Sequence, residues 1–479
     1  MSRERLSKVA FIGSYLPRKC GIATFTYDLC NALTHQGSGP ECFVVAVSDR
    51  PKGYDYSPDV RFEIAERDLP SYRLAADFLQ SANVDVLCVQ HEFGIYGGAA
   101  GSHLLALLRR LDLPIVTHLH TILEEPSLEQ MDVMQELIRL STRLIVMNKR
   151  GRRILKETYN TPSERIDLIP HGIPDMPFVD PDLHKKQFGL EGKRVLFTFG
   201  LISPGKGLEY VISALPEVLK VFPDLVYIVL GATHPTLLRD QGETYRINLE
   251  WLAEELGVAK NVIFHNRFVQ SKELMEYFNA TDIYNTPYLN ASQITSGTLA
   301  YSFGCGKAII ATPYWHAEEL LSNGRGILVP FRDSQAIARE LIALFKDDKR
   351  RDAMRHKAYL LGRTMVWNKV AQRFLSSCRQ AWHSRQADFA PWLETFREEP
   401  KLGVAGNGTS GNLRNDIMAT VNGIPIKRPI GIDGQGLTIS NAESVPSKRS
   451  IGWKQSLTTE KMKCRLVKPN GDLAKSVDR

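Results

Sequence analysis

The stretch VLFTFGLISPGKGLEYVISALPEVLKVFPDLVYIVLG, residues 195–231, decides the fold. Val195–Gly200 is a near-continuous apolar run that stops at a glycine, and Leu225–Gly231 is a second. Such runs suit strands covered on both faces, as in a parallel sheet. Between them Leu208, Val211, Ile212, Leu215, Leu219 and Phe222 recur three and four residues apart, the stripe of a helix with one buried face. Pro216 falls inside that stripe and is expected to weaken or kink the helix. Strand, crossover helix and strand make one right-handed parallel unit.

The same alternation runs outward in both directions. Strands are predicted at Val9–Ile12, Cys42–Val47, Val84–Gln90, Pro114–His120, Leu144–Asn148 and Ile166–Ile169 on one side. On the other they fall at Val262–His265, Ile283–Pro287, Ala308–Thr312 and Gly326–Pro330. PHGIPDMPFVDP, residues Pro170–Pro181, is rich in Pro and Gly, lacks periodicity and reads as a linker. The expected fold class is α/β, with two Rossmann-like doubly wound domains, 1–175 and 176–385, facing each other across a cleft. A last helical stretch, Val366–Trp382, is expected to pack back on this body, ahead of a basic, disordered tail over 395–479. Ligands of open α/β sheets bind beyond the carboxyl ends of the strands, so the loops there are where chemistry is sought.

Composition agrees with that frame. The 479 residues suit two or three domains at about 150 residues each. A chain 43% hydrophobic and 24% charged is globular and not wholly disordered. No apolar run reaches the roughly 18 residues of a membrane span, and Val9–Ile12 is too short for a signal peptide. The seven cysteines form no Cys-x-x-Cys and several lie in strand-like runs, which reads as reduced thiols in a cytoplasmic protein. The net charge of +7 resides wholly in Lys401–Arg479, with 13 Lys/Arg against 6 Asp/Glu. Nucleic-acid proteins carry their basic footprint on a folded face, so no nucleic-acid partner is expected. The tail reads as a solvated appendage, with peripheral contact to anionic lipid as the alternative.

Three loop groups carry candidate chemistry. In FGLISPGKGLEYVI, residues 199–212, a strand ends at Gly200 and Lys206-Gly207 opens a helix, a pairing that suits an anion. The spacing is not that of a Walker loop. In NASQITSGTLAYSFGCGKAIIATP, residues 290–313, Ser296 can cap a helix, and Gly297 and Thr298 start it, giving a second anion-receptive end. Two such ends and a lysine would match a diphosphate without a metal. In the first half, PRKCGIATF (17–25), QHEFGIYGG (90–98) and THLHT (117–121) bring His91, Glu92, His118 and His120 to one sheet edge. The alternation of His118 and His120 is read as placing them on opposite faces, which argues against a shared ion. No Gly-x-Ser-x-Gly elbow occurs, nor a Gly-x-Gly-x-x-Gly after the first strand, which disfavours hydrolase and dehydrogenase chemistry. The single Asp-x-Asp, Asp180-Pro-Asp182, falls in the linker, so no metal-bridged diphosphate site is expected.

Over roughly residues 8–385 these pieces resemble a GT-B glycosyltransferase, specifically family 4 of the retaining, nucleotide-sugar-dependent enzymes. The resemblance is carried by Gly21-Ile22-Ala23, TRLIVMNKRGRRIL, IDLIPHGIPD, FGLISPGKGL, LVYIVLGA and FGCGKAIIATPYWHAEELLSNGRGILVPF, in that order. It implies an acceptor-binding first domain and a donor-binding second one. The Gly21 loop would approach donor diphosphate and acceptor, His120 would face the donor sugar, and Lys206 would bind phosphate. Backbone around Arg267 and Phe268 would meet the base, and Glu319 matches a further donor-site glutamate. Three positions depart from the family: Leu201 stands where an arginine is usual, and Gln293 and Tyr301 where two glutamates are. Gln293 is expected to bond sugar hydroxyls, and Tyr301 to reach ribose through its hydroxyl.

The resulting expectation is a retaining hexosyltransferase using a nucleoside diphosphate sugar and a carbohydrate-type acceptor, with no cofactor and no metal. His120 and Lys206 are its catalytic candidates. Gly21, Arg267, Phe268, Gln293, Ser296, Gly297, Thr298, Tyr301 and Glu319 are its donor-side candidates, and His91 and Glu92 lie on the acceptor side. A GT-B phosphorylase or epimerase, and a non-catalytic nucleotide-sugar-binding protein, are the alternatives.

Overall fold

The computed structural model describes residues 5–34, 39–395, 420–421 and 424–425, with side chains as far as 385. The chain forms two units, Met1–Pro400 and Lys401–Arg479. Of the second, the antiparallel pair Thr420–Val421 and Ile424–Pro425 is described. The disorder expected of the tail otherwise concerns residues outside the described ones.

The first unit contains two parallel sheets. The first sheet holds β1 (Lys8–Gly13), β2 (Glu41–Ser48), β3 (Val60–Ala65), β4 (Val86–His91), β5 (Ile115–Leu119), β6 (Arg143–Val146) and β7 (Ile166–Leu168). Their order is β3-β2-β1-β4-β5-β6-β7. The second holds β8 (Arg194–Phe199), β9 (Leu225–Leu230), β10 (Val262–His265), β11 (Ile283–Thr286), β12 (Ala308–Ala311) and β13 (Ile327–Leu328), in the order β10-β9-β8-β11-β12-β13. Both orders reverse beside their first strand, between β1 and β4 and between β8 and β11. Each reversal opens a crevice at the carboxyl ends of the strands. Central strands are buried along their length, as in β4 and β9, which is why they read as unbroken apolar runs.

The helix predicted from the 208–222 stripe is Leu208–Val221 and continues through Pro216. Its buried residues include Leu208, Val211, Ile212, Leu215 and Val218, which pack with Val329, Leu341 and Leu344 against the second sheet.

One boundary differs from the expected division. The long helix Trp367–Thr395 follows the second sheet in sequence but packs on the first. Val370, Phe374, Leu375, Cys378 and Trp382 join Phe11, Phe25, Leu29 and Cys88 in one cluster. Each fully buried large apolar side chain there is worth about 1.5–3 kcal/mol, so the apolar face decides where the helix rests. Arg143 forms a paired bond to Asp167, and Ser377 Oγ donates to the same carboxylate at 2.6 Å. The first lobe is thus closed by a helix that follows the second sheet in sequence.

Candidate active site

Lys206 reaches the crevice because of a glycine. Gly207 adopts φ 65°, ψ 28°, and a Cβ there would lie 2.3 Å from the Pro287 carbonyl oxygen. Only a residue without a side chain fits this left-handed turn against that backbone. The loop so placed directs the Lys206 ammonium onto the Tyr288 hydroxyl, at 2.7 Å. Tyr288 Oη is 2.7 Å from Thr298 Oγ1, and Thr298 Oγ1 is 3.1 Å from Ser296 Oγ. Ser296 Oγ caps the helix Gly297–Gly304 by accepting from Leu299 N at 3.2 Å. Gly200 faces the same corner, where a Cβ would be 3.4 Å from Thr298 Cγ2 and 3.6 Å from Lys206 Nζ. Lys206, Ser296, Gly297 and Thr298 therefore meet at the reversal between β8 and β11. Among the described residues the ammonium has no carboxylate partner. A fixed positive charge, hydroxyls and a helix start suit an anion.

Across the crevice stands a group of buried imidazoles. Phe25, on the helix Gly21–Thr34, meets His118, His120 and His171 edge-on at 4.9, 4.9 and 5.0 Å. His118 and His120 stack on each other at 5.2 Å with an interplanar angle of 19°. The expectation of opposite faces is therefore corrected: residues two apart on a strand share a face. Burial holds His91 and His118 down to about 3, with His171 adding repulsion at His118, and His171 itself down to about 4. Burial, reinforced by the neighbouring imidazoles, also holds His120 well below the usual range. All are neutral at physiological pH. His120 Nε2 lies 2.9 Å from Gln90 Oε1. Among the described residues neither ring nitrogen of His91 or His118 has a hydrogen-bond partner. Among the described residues no three His, Cys, Asp or Glu side chains gather as a metal site would require.

The remaining candidates scatter more widely. Gly21 opens its helix, and a Cβ added there would meet nothing within 4 Å. Glu92 accepts from Phe93 N at 3.0 Å and from the Thr121 hydroxyl, and burial pushes its carboxyl upward against those bonds. Arg267 lies beyond the edge strand β10, paired with Glu273 in a two-pronged bond, beside the exposed Phe268. Gln293 Nε2 donates within its own loop to Thr295 O at 2.6 Å. The Tyr301 hydroxyl donates across the crevice to Asp28 Oδ2 at 3.0 Å. Glu319 also crosses the crevice: both carboxylate oxygens accept from Lys149 N, at 3.1 and 2.9 Å.

Sequence reasoning passed over Tyr288, Asp28, His171 and His316. His316 Nδ1 accepts from Ser296 N at 2.9 Å, which leaves its proton on Nε2. His171 Nδ1 is 2.7 Å from the Gly172 carbonyl, and a Cβ on Gly297 would fall 2.9 Å from His171 Nε2. The one signal for His171 was its place in the linker motif IPHGIP.

Comparison with known proteins bears on this arrangement. Residues 180–361 match the family described as glycosyl transferases group 1, and residues 20–175 match glycosyltransferase family 4. The D-inositol 3-phosphate glycosyltransferase of Xylanimonas cellulosilytica is 26% identical over 406 residues, covering 77% of this chain and 93% of that protein. A GDP-mannose-dependent alpha-(1-6)-phosphatidylinositol monomannoside mannosyltransferase of Mycolicibacterium smegmatis is 26% identical over 247 residues, 50% of this chain and 58% of that one. Among solved structures, sucrose-phosphate synthase from Thermosynechococcus elongatus superposes with a TM-score of 0.65 at 14% identity, covering 79% of this chain and all (100%) of that one. Anabaena HepE in complex with UDP and glucose gives 0.62 at 15% identity, covering 78% and 100%. Both likenesses concern the fold.

Proposed function

Since the chain belongs to the group 1 glycosyltransferases of the GT-B fold, we propose a retaining hexosyltransferase. It would use a nucleoside diphosphate sugar, a carbohydrate-type acceptor and no bound metal. The observation that carries this reading is the convergence of Lys206, Thr298 and Ser296 at one strand reversal, with an ammonium that lacks a carboxylate partner among the described residues. A donor diphosphate would supply that partner. In the reaction the bond from the anomeric carbon to the diphosphate oxygen breaks, and the acceptor oxygen bonds to that carbon on the same face. The acceptor proton passes to the departing phosphate oxygen. Lys206 stabilises the negative charge that grows there, a preorganised contribution of about 3 kcal/mol. His120, neutral and oriented by Gln90, orients the sugar by hydrogen bonding and donates no catalytic proton.

Relatives named for GDP-mannose and structural neighbours bound to UDP make those nucleotides the first to test. The inositol phosphate in a relative's name places cyclitols among the acceptors to screen. A thermal-shift screen with UDP, GDP and ADP should show one stabilising nucleotide, since a ligand at 100 times its Kd adds about 2.7 kcal/mol. Lys206→Ala should abolish that shift and cost about a hundredfold or more in transfer rate while the unliganded melting temperature holds. Transfer unchanged in Lys206→Ala would falsify the assignment.

A further inference from the structure

Tyr288 joins the two halves of the anion corner, and its own placement is over-determined. Its ring is 4% exposed and stacks on Tyr314 at 5.1 Å and 21°. Its carbonyl accepts from Thr312 Oγ1 at 2.5 Å, and Tyr314 Oη in turn lies 3.1 Å from Thr286 Oγ1. Its hydroxyl therefore stands at a fixed point, 2.7 Å from Lys206 Nζ on one side and 2.7 Å from Thr298 Oγ1 on the other. An ammonium has three donors and no acceptor, so the phenol oxygen accepts from Lys206 and can donate its own proton to Thr298. A carboxylate in that position would hold the lysine equally well, but it would neutralise the charge and compete with any incoming anion. A neutral phenol holds the ammonium by its dipole and leaves the full charge and two donors for a ligand.

We propose that Tyr288 is a positioning residue of the donor site, which locks Lys206 and the Ser296–Thr298 helix start together before the diphosphate binds. The inference rests on the reading of Lys206 as a diphosphate ligand. It carries a consequence that a packing role lacks. The titratable groups facing Tyr288 are Lys206, Tyr284 and Tyr314. Burial pushes Tyr288 upward, but the Lys206 ammonium and the hydroxyls of Thr298 and Ser296 outweigh it and hold this phenol below the usual range. Burial holds Tyr284 and Tyr314 well above that range. Tyr288 is thus the first of the three to ionise, and its phenolate would pair with Lys206 and compete with a diphosphate. Linkage requires the converse: a bound diphosphate delays that ionisation.

The test is calorimetric titration of the full chain with inorganic pyrophosphate between pH 7 and 9.5, alongside Tyr288→Phe and Lys206→Ala. Tyr288→Phe keeps the ring stack. It is expected to bind about tenfold more weakly at pH 7, and the ratio of wild-type to variant affinity should shrink towards one at the alkaline end. The ratio cancels the ionisation of pyrophosphate itself. A second readout needs no Tyr288 variant: pyrophosphate should move part of the wild-type tyrosinate absorbance titration to higher pH, and not that of Lys206→Ala. If Lys206→Ala loses binding while Tyr288→Phe matches wild type at every pH, the positioning role is overturned and the diphosphate site survives. If Lys206→Ala binds normally, the reading of the site itself fails.

Discussion

At the scale of single residues, Gly207 is the position on which the Lys206 corner depends. A left-handed conformation costs a side-chain-bearing residue about 1–2 kcal/mol, and here the added Cβ would also strike the Pro287 carbonyl at 2.3 Å. The collision cannot be relieved locally, because Pro287 leads directly into Tyr288, which anchors the lysine. Gly207→Ala is therefore expected to lower unfolding free energy by about 2–3 kcal/mol in urea titrations and to weaken nucleotide binding as well. A variant as stable as the parent would show that the loop has another conformation available. His120 makes a different kind of prediction. Burial among neighbouring imidazoles keeps it neutral across physiological pH, so it contributes no ionisation to the rate profile near 6.5. His120→Gln, which keeps a hydrogen-bonding end, should slow transfer without moving any inflection in that range. An inflection lost in this variant would make His120 an acid–base group.

At the scale of elements, the helix Lys149–Glu157 shows how the lobes hold each other. Its first turn is capped by Asn148, whose Oδ1 accepts from Gly151 N at 2.7 Å, while its Nδ2 donates to the Ile294 carbonyl in the other lobe. Glu319 adds a second acceptor from across the crevice, at the positive end of the helix. The Arg150 guanidinium lies 4.0 Å from the centroid of the Trp315 ring. Glu319→Ala should cost about 1 kcal/mol and speed amide hydrogen exchange at Lys149–Gly151, and unchanged exchange there would leave the contact without weight. Elements of this kind were unevenly legible in the sequence. Buried central strands announced themselves, because parallel strands covered on both faces read as apolar runs. β3 did not, since VRFEIA is an edge strand that alternates with solvent and breaks the run. The helix Trp367–Thr395 was visible as a helix, but its lobe was not, because amphipathic spacing says that a face is buried and not against what. Lys206 and Ser296–Thr298 were legible because each lies at a strand-to-helix junction, where chain order and chemistry coincide. The partners of Tyr301 and Glu319 were not, since they lie 273 and 170 residues away and arise only when the lobes meet.

At the scale of the whole molecule, the Asp28–Tyr301 bond makes the joining of the lobes sensitive to pH. Burial raises Asp28 to about 6, and the Tyr301 hydroxyl draws it part of the way back. Separation of the lobes would hydrate Asp28 and return it towards the ordinary carboxylate value of 3.8. The joined state therefore binds the proton more tightly than the separated one. Its advantage is fully present below the separated-state value and is lost as pH rises through about 6. The gap corresponds to at most about 3 kcal/mol, enough to shift a balanced equilibrium between joined and separated lobes by two powers of ten. The family's glutamate at position 301 would repel Asp28, whereas a tyrosine hydroxyl can donate to it in either protonation state, so the latch weakens with pH without breaking outright. Small-angle scattering at pH 5 and pH 7.5 should give a larger radius of gyration at the higher pH. In Asp28→Asn, which cannot ionise, the compact dimension should persist at both. Tyr301→Phe removes the group that pulls Asp28 down, so its transition should move to higher pH. Scattering of the parent protein that is independent of pH between these values would mean that contacts such as those of Glu319, Asn148 and Arg150 hold the lobes without help from the Asp28 proton.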